Sequence, residues 1–198
     1  LFQAADSIFY GGSYPELAYM DSPEISFWRN LCLSEGELRR YERGEEFVSI
    51  GQPGRYIGFV MKGTLKYVTF SEDGTEHVVG FEFPGEFVTD FPFSLYGMPA
   101  RVSIVADSPC EIMCVATRLV TERMKSDPEL PGIVMRSTEN VFSTVYDRYM
   151  SLYRKSSRER YEELLSRHPD LFSLFSLKDI ASYLNITPTH LSRLRKDI

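Results

Sequence analysis

The chain has 198 residues, of which 43% are hydrophobic and 14% aromatic, so it can bury a real core and is not a disordered chain. Its formal net charge is −6, and no apolar run approaches the length of a membrane span. Three cysteines are too few for a disulfide scaffold and favour a reducing, cytoplasmic setting.

The charge is divided unevenly along the chain. Residues 1–147 carry 12 Lys+Arg against 22 Asp+Glu, whereas residues 148–198 carry 10 against 6. A local basic surplus attracts phosphates whatever the total charge. The division predicts an acidic regulatory part followed by a basic part that contacts nucleic acid, although a chance difference between two solvated faces would produce the same numbers.

The first segment, residues 1–43, is predicted to be helical and irregular, because Gly and Pro interrupt it repeatedly. Residues 1–12 lack a basic start followed by a long apolar run, so they do not form a secretory signal. We expect Trp28 to be a packing residue. The apolar stripe of this segment is Ile25, Trp28, Leu31, Leu33 and Leu38.

Short alternating strands are predicted from residue 44 to residue 116. Glycines at 51, 63, 74 and 85 divide them at nearly regular intervals, which indicates an antiparallel roll or barrel. The predicted strands cover residues 47–50, 56–61, 65–70, 77–83, 102–105 and 110–115.

A long helix is predicted from residue 133 to about residue 153, within a connecting segment of residues 117–155. Its apolar positions recur at steps of four and three, which is typical of a seam between two helices. The seam can pair with a second copy of the chain or pack on the chain's own strands, and we favour the dimer. Its members are Val134, Thr138, Val141, Val145, Arg148 and Leu152.

Two short helices are predicted in the last part, residues 156–198, after a hinge at Ser156-Ser157 and a helix over 158–167. Leu177, Ile180, Ala181 and Leu184 form one apolar face, with Ser176 as its N-cap and Asp179 in its first turn. After Asn185-Ile186 a second helix begins, with Thr187 as N-cap, Pro188 first, and Leu191 and Leu194 inside. This pattern suits a helix-turn-helix in the major groove of DNA, although an ordinary helical hairpin has the same periodicity. Its outer, candidate DNA-binding residues are Thr189, His190, Ser192, Arg193 and Lys196.

The chain resembles the Crp–Fnr family of transcription regulators in two respects. These are the sequence of residues 180–196, IASYLNITPTHLSRLRK, and the order of roll, long helix and helix-turn-helix. The resemblance implies an α+β fold, with an antiparallel, cyclic-nucleotide-binding-like β-roll (44–116) joined by a long dimerisation helix to a small helix-turn-helix domain (156–198). It implies a DNA-binding regulator whose roll senses an unidentified small effector and controls how the DNA-reading heads are presented. The implied partners are double-stranded DNA, a second copy of the chain and RNA polymerase, and no membrane. The family's winged β-hairpin would follow Ile198, where the sequence ends.

The same resemblance places a candidate effector site at Glu86, Phe87, Arg101 and Val102. In members that bind a cyclic nucleotide, residues matching Glu86 and Arg101 hold the ribose and the phosphate. Three features disfavour a cyclic nucleotide here: the bulky Val88 and Val102, the negative Asp90, and Pro92 within the short helix. They leave as alternatives a different effector, such as a small anion, or an empty roll. A purely structural pairing of Arg101 with Glu86 or Asp90 remains an alternative.

In the second helix, the resemblance matches Arg193 to the base-reading arginine of the family. The guanidinium fork of an arginine fits guanine O6 and N7. We expect Ser192, Arg195 and Lys196 to contact phosphates. Pro188 stands where close relatives carry another reading arginine, so the target sequence should differ from theirs.

Enzyme and metal chemistry lack the residues that they need. The roll contains one histidine, His77, and Cys110 and Cys114 lie at even spacing with Ile112 as buried small hydrophobes. No Walker loop, nucleophile elbow or HExxH sequence is present, so we predict no enzyme and no cofactor. The remaining alternative to a DNA-binding regulator is a ligand-binding signalling module whose C-terminal helices bind a protein.

Overall fold

A computed structural model gives the structure of the protein and describes residues 22–196. It has the predicted α+β fold, with a β-roll, a long helix and a small helical head. The strands are β1 (Glu37–Tyr41), β2 (Glu46–Val48), β3 (Tyr56–Lys62), β4 (Leu65–Phe70), β5 (Glu76–Glu82), β6 (Phe87–Val88), β7 (Ser103–Ala106) and β8 (Cys110–Ala116). The helices are α1 (Pro23–Glu35), α2 (Thr117–Arg123), α3 (Leu130–Arg154), α4 (Ser157–Arg167), α5 (Leu171–Leu174), α6 (Leu177–Tyr183) and α7 (Pro188–Lys196), with a 3-10 turn at Phe93–Tyr96.

The roll consists of two four-stranded antiparallel sheets, with strand orders β1-β8-β3-β6 and β2-β7-β4-β5. Between them lies a core in which Val60, Leu65, Ile104 and Ile112 are fully buried. Cys110 and Cys114 are buried in the same core, which confirms the prediction that they face inward with Ile112.

The sequence prediction for residues 37–41 was wrong, because they form strand β1 and not a helical or irregular segment. Every residue of β1 pairs with β8, from Glu37 opposite Cys114 to Tyr41 opposite Cys110. Gly36 ends α1 by donating its backbone N–H to the Cys32 carbonyl, and a side chain at this position would collide with that oxygen. The charged strand is formed by long-range pairing and not by local apolar alternation, so its sequence does not predict it.

The predicted apolar stripe of the N-terminal segment is only partly buried. Ile25 is buried, and Trp28 and Leu31 lie in a core between α1, the roll and α3, whereas Leu33 and Leu38 are each 45% exposed. Trp28 is a packing residue, as predicted, and its indole N–H donates to Ser137 Oγ at 2.8 Å. The earlier part of that segment, residues 1–21, lies outside the described residues.

The long helix α3 presents a different face from the predicted seam. Val134 is buried against α1 and the roll, and Arg148 contacts the head. Val145 of the predicted seam remains exposed, and the other large exposed apolar side chains lie about one residue position, or roughly 100°, further round the helix. These residues, here called the aromatic face, are Met135, Phe142, Val145, Tyr146, Tyr149 and Tyr153.

The head has its own core, formed by buried residues of α4 to α7. Ser156 caps α4 with a capping box shared with Glu159, and the helix begins at Ser157, within one residue of the predicted start. Two side chains of the roll, Phe81 and Phe83, also pack into this core. The buried residues of the core are Tyr161, Leu164, Leu171, Phe175, Ile180, Ala181, Leu184, Leu191 and Leu194.

Candidate nucleic-acid interface and effector roll

Helices α6 and α7 form a helix-turn-helix with the caps that the sequence predicts. Ser176 Oγ accepts the Asp179 N–H at 3.1 Å, and Thr187 Oγ1 accepts the His190 N–H at 3.2 Å. Between the helices, Asn185 adopts a left-handed conformation with φ of 54°. The Ile186 N–H then donates back to the Ala181 carbonyl at 3.0 Å, so the chain reverses within a few residues.

The inner faces of the two helices are closely packed. Ile180, Ala181 and Leu191 are each 0% exposed, and Leu194 is 6% exposed. The small side chain of Ala181 lets α7 approach α6. This packing directs the polar side of α7 outward.

The predicted DNA-binding residues lie together on that outward side. Thr189, His190, Arg193 and Lys196 are exposed, and Ser192 is half-buried. Arg195, which we expect to contact phosphate, is also exposed, and its guanidinium carbon lies 4.3 Å from the Phe172 ring centroid. The exposed surface of α7 therefore carries the guanidinium groups of Arg193 and Arg195 and the flexible cation of Lys196.

Two arginines hold the C-terminal end of α6, where the turn begins. Arg148 of α3 donates to the Tyr183 carbonyl at 2.8 Å, and its guanidinium lies 3.6 Å from the Tyr183 ring centroid. Arg160 of α4 donates to the Leu184 carbonyl at 3.1 Å. Cations at a helix C-terminus satisfy its free carbonyls and oppose its negative dipole. The orientation of the helix-turn-helix is thus tied to α3 and α4.

In the roll, Glu86 is engaged by its own surroundings. Its Oε2 accepts the Phe83 N–H at 2.9 Å, which closes the turn between β5 and β6. Its carboxyl also hydrogen-bonds to that of Glu82, and Tyr67 donates its hydroxyl to Glu82 Oε1 at 3.1 Å. Burial, followed by the charge and hydrogen bond of Glu86, raises the pKa of Glu82 well above its usual range. The raised pKa favours the protonated form of the Glu82 carboxyl group.

Arg101 lies near Asp90 and not against Glu86. Its backbone N–H donates to Asp90 Oδ2 at 3.1 Å, and its guanidinium carbon lies 4.6 Å from the Phe93 ring centroid. Burial raises the pKa of Asp90, although the Arg101 backbone and charge oppose that shift. This contact is the structural pairing that the sequence left open, made through the backbone of Arg101 and not its side chain.

The other two candidate effector residues pack within the roll. Phe87 is half-buried, with its ring centroid 5.3 Å from that of Phe59, and Val102 packs against the core between the sheets. None of the four candidate effector residues lines either of two surface clefts of the protein. One cleft, of about 350 Å³, lies beside Arg39 and Arg118, and the other, of about 330 Å³, lies beside Pro53 and Thr117. The effector site at Glu86, Phe87, Arg101 and Val102 stays a prediction.

Metal binding and membrane insertion find no support in the described part of the chain. Within residues 22–196, no group of three or more His, Cys, Asp or Glu side chains is placed to hold a metal ion. Burial raises the pKa of Cys32 and of Cys114 to about 12, so both thiols stay protonated. None of the helices among those residues is both long and apolar enough to cross a membrane.

The chain combines a two-sheet β-roll, a long connecting helix and a helix-turn-helix head. Residues 38–127 match the family model of the cyclic nucleotide-binding domain. Over most of its length the chain is similar to proteins named as regulators, among them one of the CRP/FNR family. The relatives reported below are named as regulators and not as enzymes, in agreement with the prediction from sequence.

Similar proteins include the electron transport regulator A of Shewanella oneidensis, which is 24% identical over 165 residues. The match covers 77% of this chain but 65% of that protein, slightly less than two thirds of its length. FixK2 of Bradyrhizobium japonicum has the same fold, with a TM-score of 0.72 at 20% identity over 82% of this chain and 83% of that one. A CRP/FNR-family transcriptional regulator of Thermus thermophilus aligns with a TM-score of 0.62 at 14% identity over 81% and 84% of the two chains.

Sequence reasoning missed the residues that join the roll to the head. Lys66 and Phe81 lie on strands and Phe83 directly follows β5, so strand alternation explains them as ordinary roll residues, yet all three contact the head. Phe83 stacks on His168 with ring centroids 4.1 Å apart. The sequence signal was the pair of aromatic residues, Phe81 and Phe83, on either side of the inward-facing Glu82 at the end of β5. This pattern does not indicate which part of the chain the two rings contact.

Proposed function

We propose that the protein is a DNA-binding transcription regulator that inserts α7 into the major groove. The observation that carries the proposal is the outward face of α7, where Arg193 and Lys196 are exposed beside Thr189 and His190 on a helix held by a helix-turn-helix core. The basic surplus of residues 148–198 supplies the attraction to phosphate.

The regulator acts as a homodimer through the aromatic face of α3. Phe142 stacks on Tyr146 with ring centroids 5.9 Å apart, and Tyr149 lies 5.1 Å from Tyr153, so the exposed rings form a continuous apolar stripe. Large exposed apolar patches mark contact surfaces, and a two-fold pair of heads matches two half-sites in DNA. The proposed dimer seam keeps Val145 of the predicted one but not Val134 and Arg148, which make contacts within the chain.

The roll controls the heads in response to a small anionic effector. A cyclic nucleotide is disfavoured, because Glu86 is hydrogen-bonded to its own turn and to Glu82, and the guanidinium of Arg101 lies over Phe93. The free, buried thiols of Cys32, Cys110 and Cys114 fit a cytoplasmic location. The proposed regulator also contacts RNA polymerase.

The test compares Arg193→Ala with Lys196→Ala in binding to a duplex that the unmodified protein selects from a random-sequence library. Arg193→Ala should cost about 1–3 kcal/mol at the selected duplex and relax the preference at one base pair in each half-site. Lys196→Ala should weaken all sequences alike and reduce the salt slope by about one unit. Both side chains are exposed, so the thermal stability of the two variants should match that of the parent protein.

The difference between the two variants is the test of sequence reading. An equal loss of affinity for all sequences, as expected for Lys196→Ala, would be seen with any basic surface. If Arg193→Ala weakens every sequence equally, α7 is a non-specific anchor and not a recognition helix. If the unmodified protein selects no duplex at all, the DNA-binding proposal is wrong.

A further inference from the structure

Helix α6 covers an otherwise open edge of the roll. Strand β5 is the last strand of the sheet β2-β7-β4-β5, so part of its backbone has no neighbouring strand among the described residues. The Val78 N–H of this edge donates to Ser182 Oγ of α6 at 2.9 Å. The head therefore satisfies a backbone group that the roll leaves unpaired.

An ion pair joins the same two elements. Lys66 Nζ of β4 lies 3.1 Å from Asp179 Oδ1 of α6 and 3.3 Å from Glu76 Oε1 of β5. The side chains of Lys66 and Asp179 are 15% and 10% exposed, so solvent and salt screen the pair much less than a surface pair. The other oxygen of Asp179 accepts the Ser176 hydroxyl at 2.7 Å, at the N-cap of α6. Lys66 thus holds the first turn of α6.

Aromatic packing continues the contact to the far end of α6. The Phe81 ring centroid lies 4.1 Å from that of Phe175 and 5.1 Å from that of Tyr183. Tyr183 is also in contact with the guanidinium of Arg148, which comes from α3. Helix α6 is therefore held at its N-terminus by the roll and at its C-terminus by the roll and the long helix together.

The position of helix α7, the proposed recognition helix, depends on the position of α6. Helix α7 is joined to α6 by a short turn and a shared core, so α6 and α7 move as one body. Two heads bind two half-sites only when both are held at the required spacing and angle. A contact that ties α6 to the roll therefore sets where α7 points.

Resting on the proposed DNA-binding function, we propose that Lys66 is a positioning residue for DNA reading, which acts from within the roll by holding α6 through Asp179. The pair and the Val78–Ser182 hydrogen bond are polar links between the roll and α6, and the aromatic packing of Phe81 supports them. Lys66 itself lies on the sheet and acts on DNA through α6.

The first experiment measures docking without DNA, by hydrogen exchange of the full chain. Lys66→Met removes the charge but keeps the aliphatic stem, and we expect amide exchange in 76–82 and 177–183 to accelerate about tenfold or more, because removing one member of a buried ion pair is strongly destabilising. Lys62→Met is the matched control, since Lys62 is an exposed lysine at the end of the adjacent strand in the chain. Exchange in that variant should be unchanged, and Lys66→Arg should restore slow exchange.

The second experiment measures binding of the same variants to the duplex selected by the unmodified protein. We expect Lys66→Met to lose about tenfold in affinity for that duplex while its affinity for a scrambled duplex changes no more than that of Lys62→Met. Lys66→Arg should bind within about twofold of the unmodified protein.

Unchanged exchange in Lys66→Met would overturn the proposal, because the pair would then not hold the head. Faster exchange with unchanged DNA affinity would also overturn it, because docking would then not position α7. If the unmodified protein binds no DNA, the proposed function fails, and the exchange result alone still decides whether Lys66 docks the head.

Discussion

At the scale of single residues, the carboxyl group of Glu82 is held in a setting that favours its protonated form. It faces Glu86 and the Tyr67 hydroxyl, and burial with the charge of Glu86 raises its pKa well above the usual range. The folded protein therefore binds a proton at pH values where the unfolded chain has released it. Stability from this group is complete below the unfolded pKa of about 4.3 and is lost as the pH rises through the raised folded pKa.

We expect Glu82→Gln to flatten this pH dependence and to stabilise the protein at neutral pH. Glutamine keeps an oxygen that accepts the Tyr67 hydroxyl, but it does not ionise. Urea unfolding midpoints measured between acidic and mildly alkaline pH check the prediction, with Glu72→Gln at the exposed β4–β5 turn as control. Parallel midpoint curves for Glu82→Gln and the parent protein would show that Glu82 ionises as an ordinary surface acid.

At the scale of elements, α3 has two faces with different tasks. One face packs Val134 against α1 and the roll and sends Arg148 to the head. The other, the aromatic face, leaves Phe142 67% exposed and Val145 60% exposed. An isolated helix surface of this kind is costly to hydrate, so a second copy of the same helix is the partner that we propose for it.

Val145→Glu should therefore convert the dimer to a monomer. Two glutamates brought together across a two-fold axis repel each other, at a cost on the order of several kcal/mol. Thr144→Glu is the matched control, because Thr144 is an exposed neighbour that points away from the aromatic face. Sedimentation velocity at micromolar concentration separates the outcomes. A Val145→Glu protein that sediments as the same dimer would place the interface elsewhere.

At the scale of the whole molecule, the roll and the head share a core through Phe81 and Phe83. These rings contact Phe175, Tyr183 and His168 of the head. Packing across a domain boundary makes two domains unfold together, because neither keeps its buried surface alone. We therefore expect one cooperative thermal transition for the protein.

Phe81→Ala should lower stability by about 1–3 kcal/mol and split that transition in two, with the head melting first. Phe70→Ala is the control, because Phe70 lies on the adjacent strand and is 49% exposed. Differential scanning calorimetry measures both variants. The same single transition in Phe81→Ala and Phe70→Ala would mean that the roll and head are coupled only through α3.

Much of the fold and of the candidate DNA-binding face followed from local sequence signals. Periodicity and capping residues located α6, α7 and the long helix, because a helix start is chosen by a few neighbouring side chains such as Ser176 and Thr187. Turn glycines located most strands for the same reason: the positive φ of Gly63 or Gly74 is a local requirement.

Tertiary structure alone decided the remaining features, because each depends on residues far apart in the chain. Strand β1 exists through its pairing with β8, the exposed face of α3 depends on which side the roll covers, and Lys66 meets Asp179 across 113 positions. Spacing along a helix or strand records which side chains share a face but not which partner that face will meet. The sequence by itself therefore determined the elements and the candidate reading residues, whereas the packing of the chain determined how the roll holds the head.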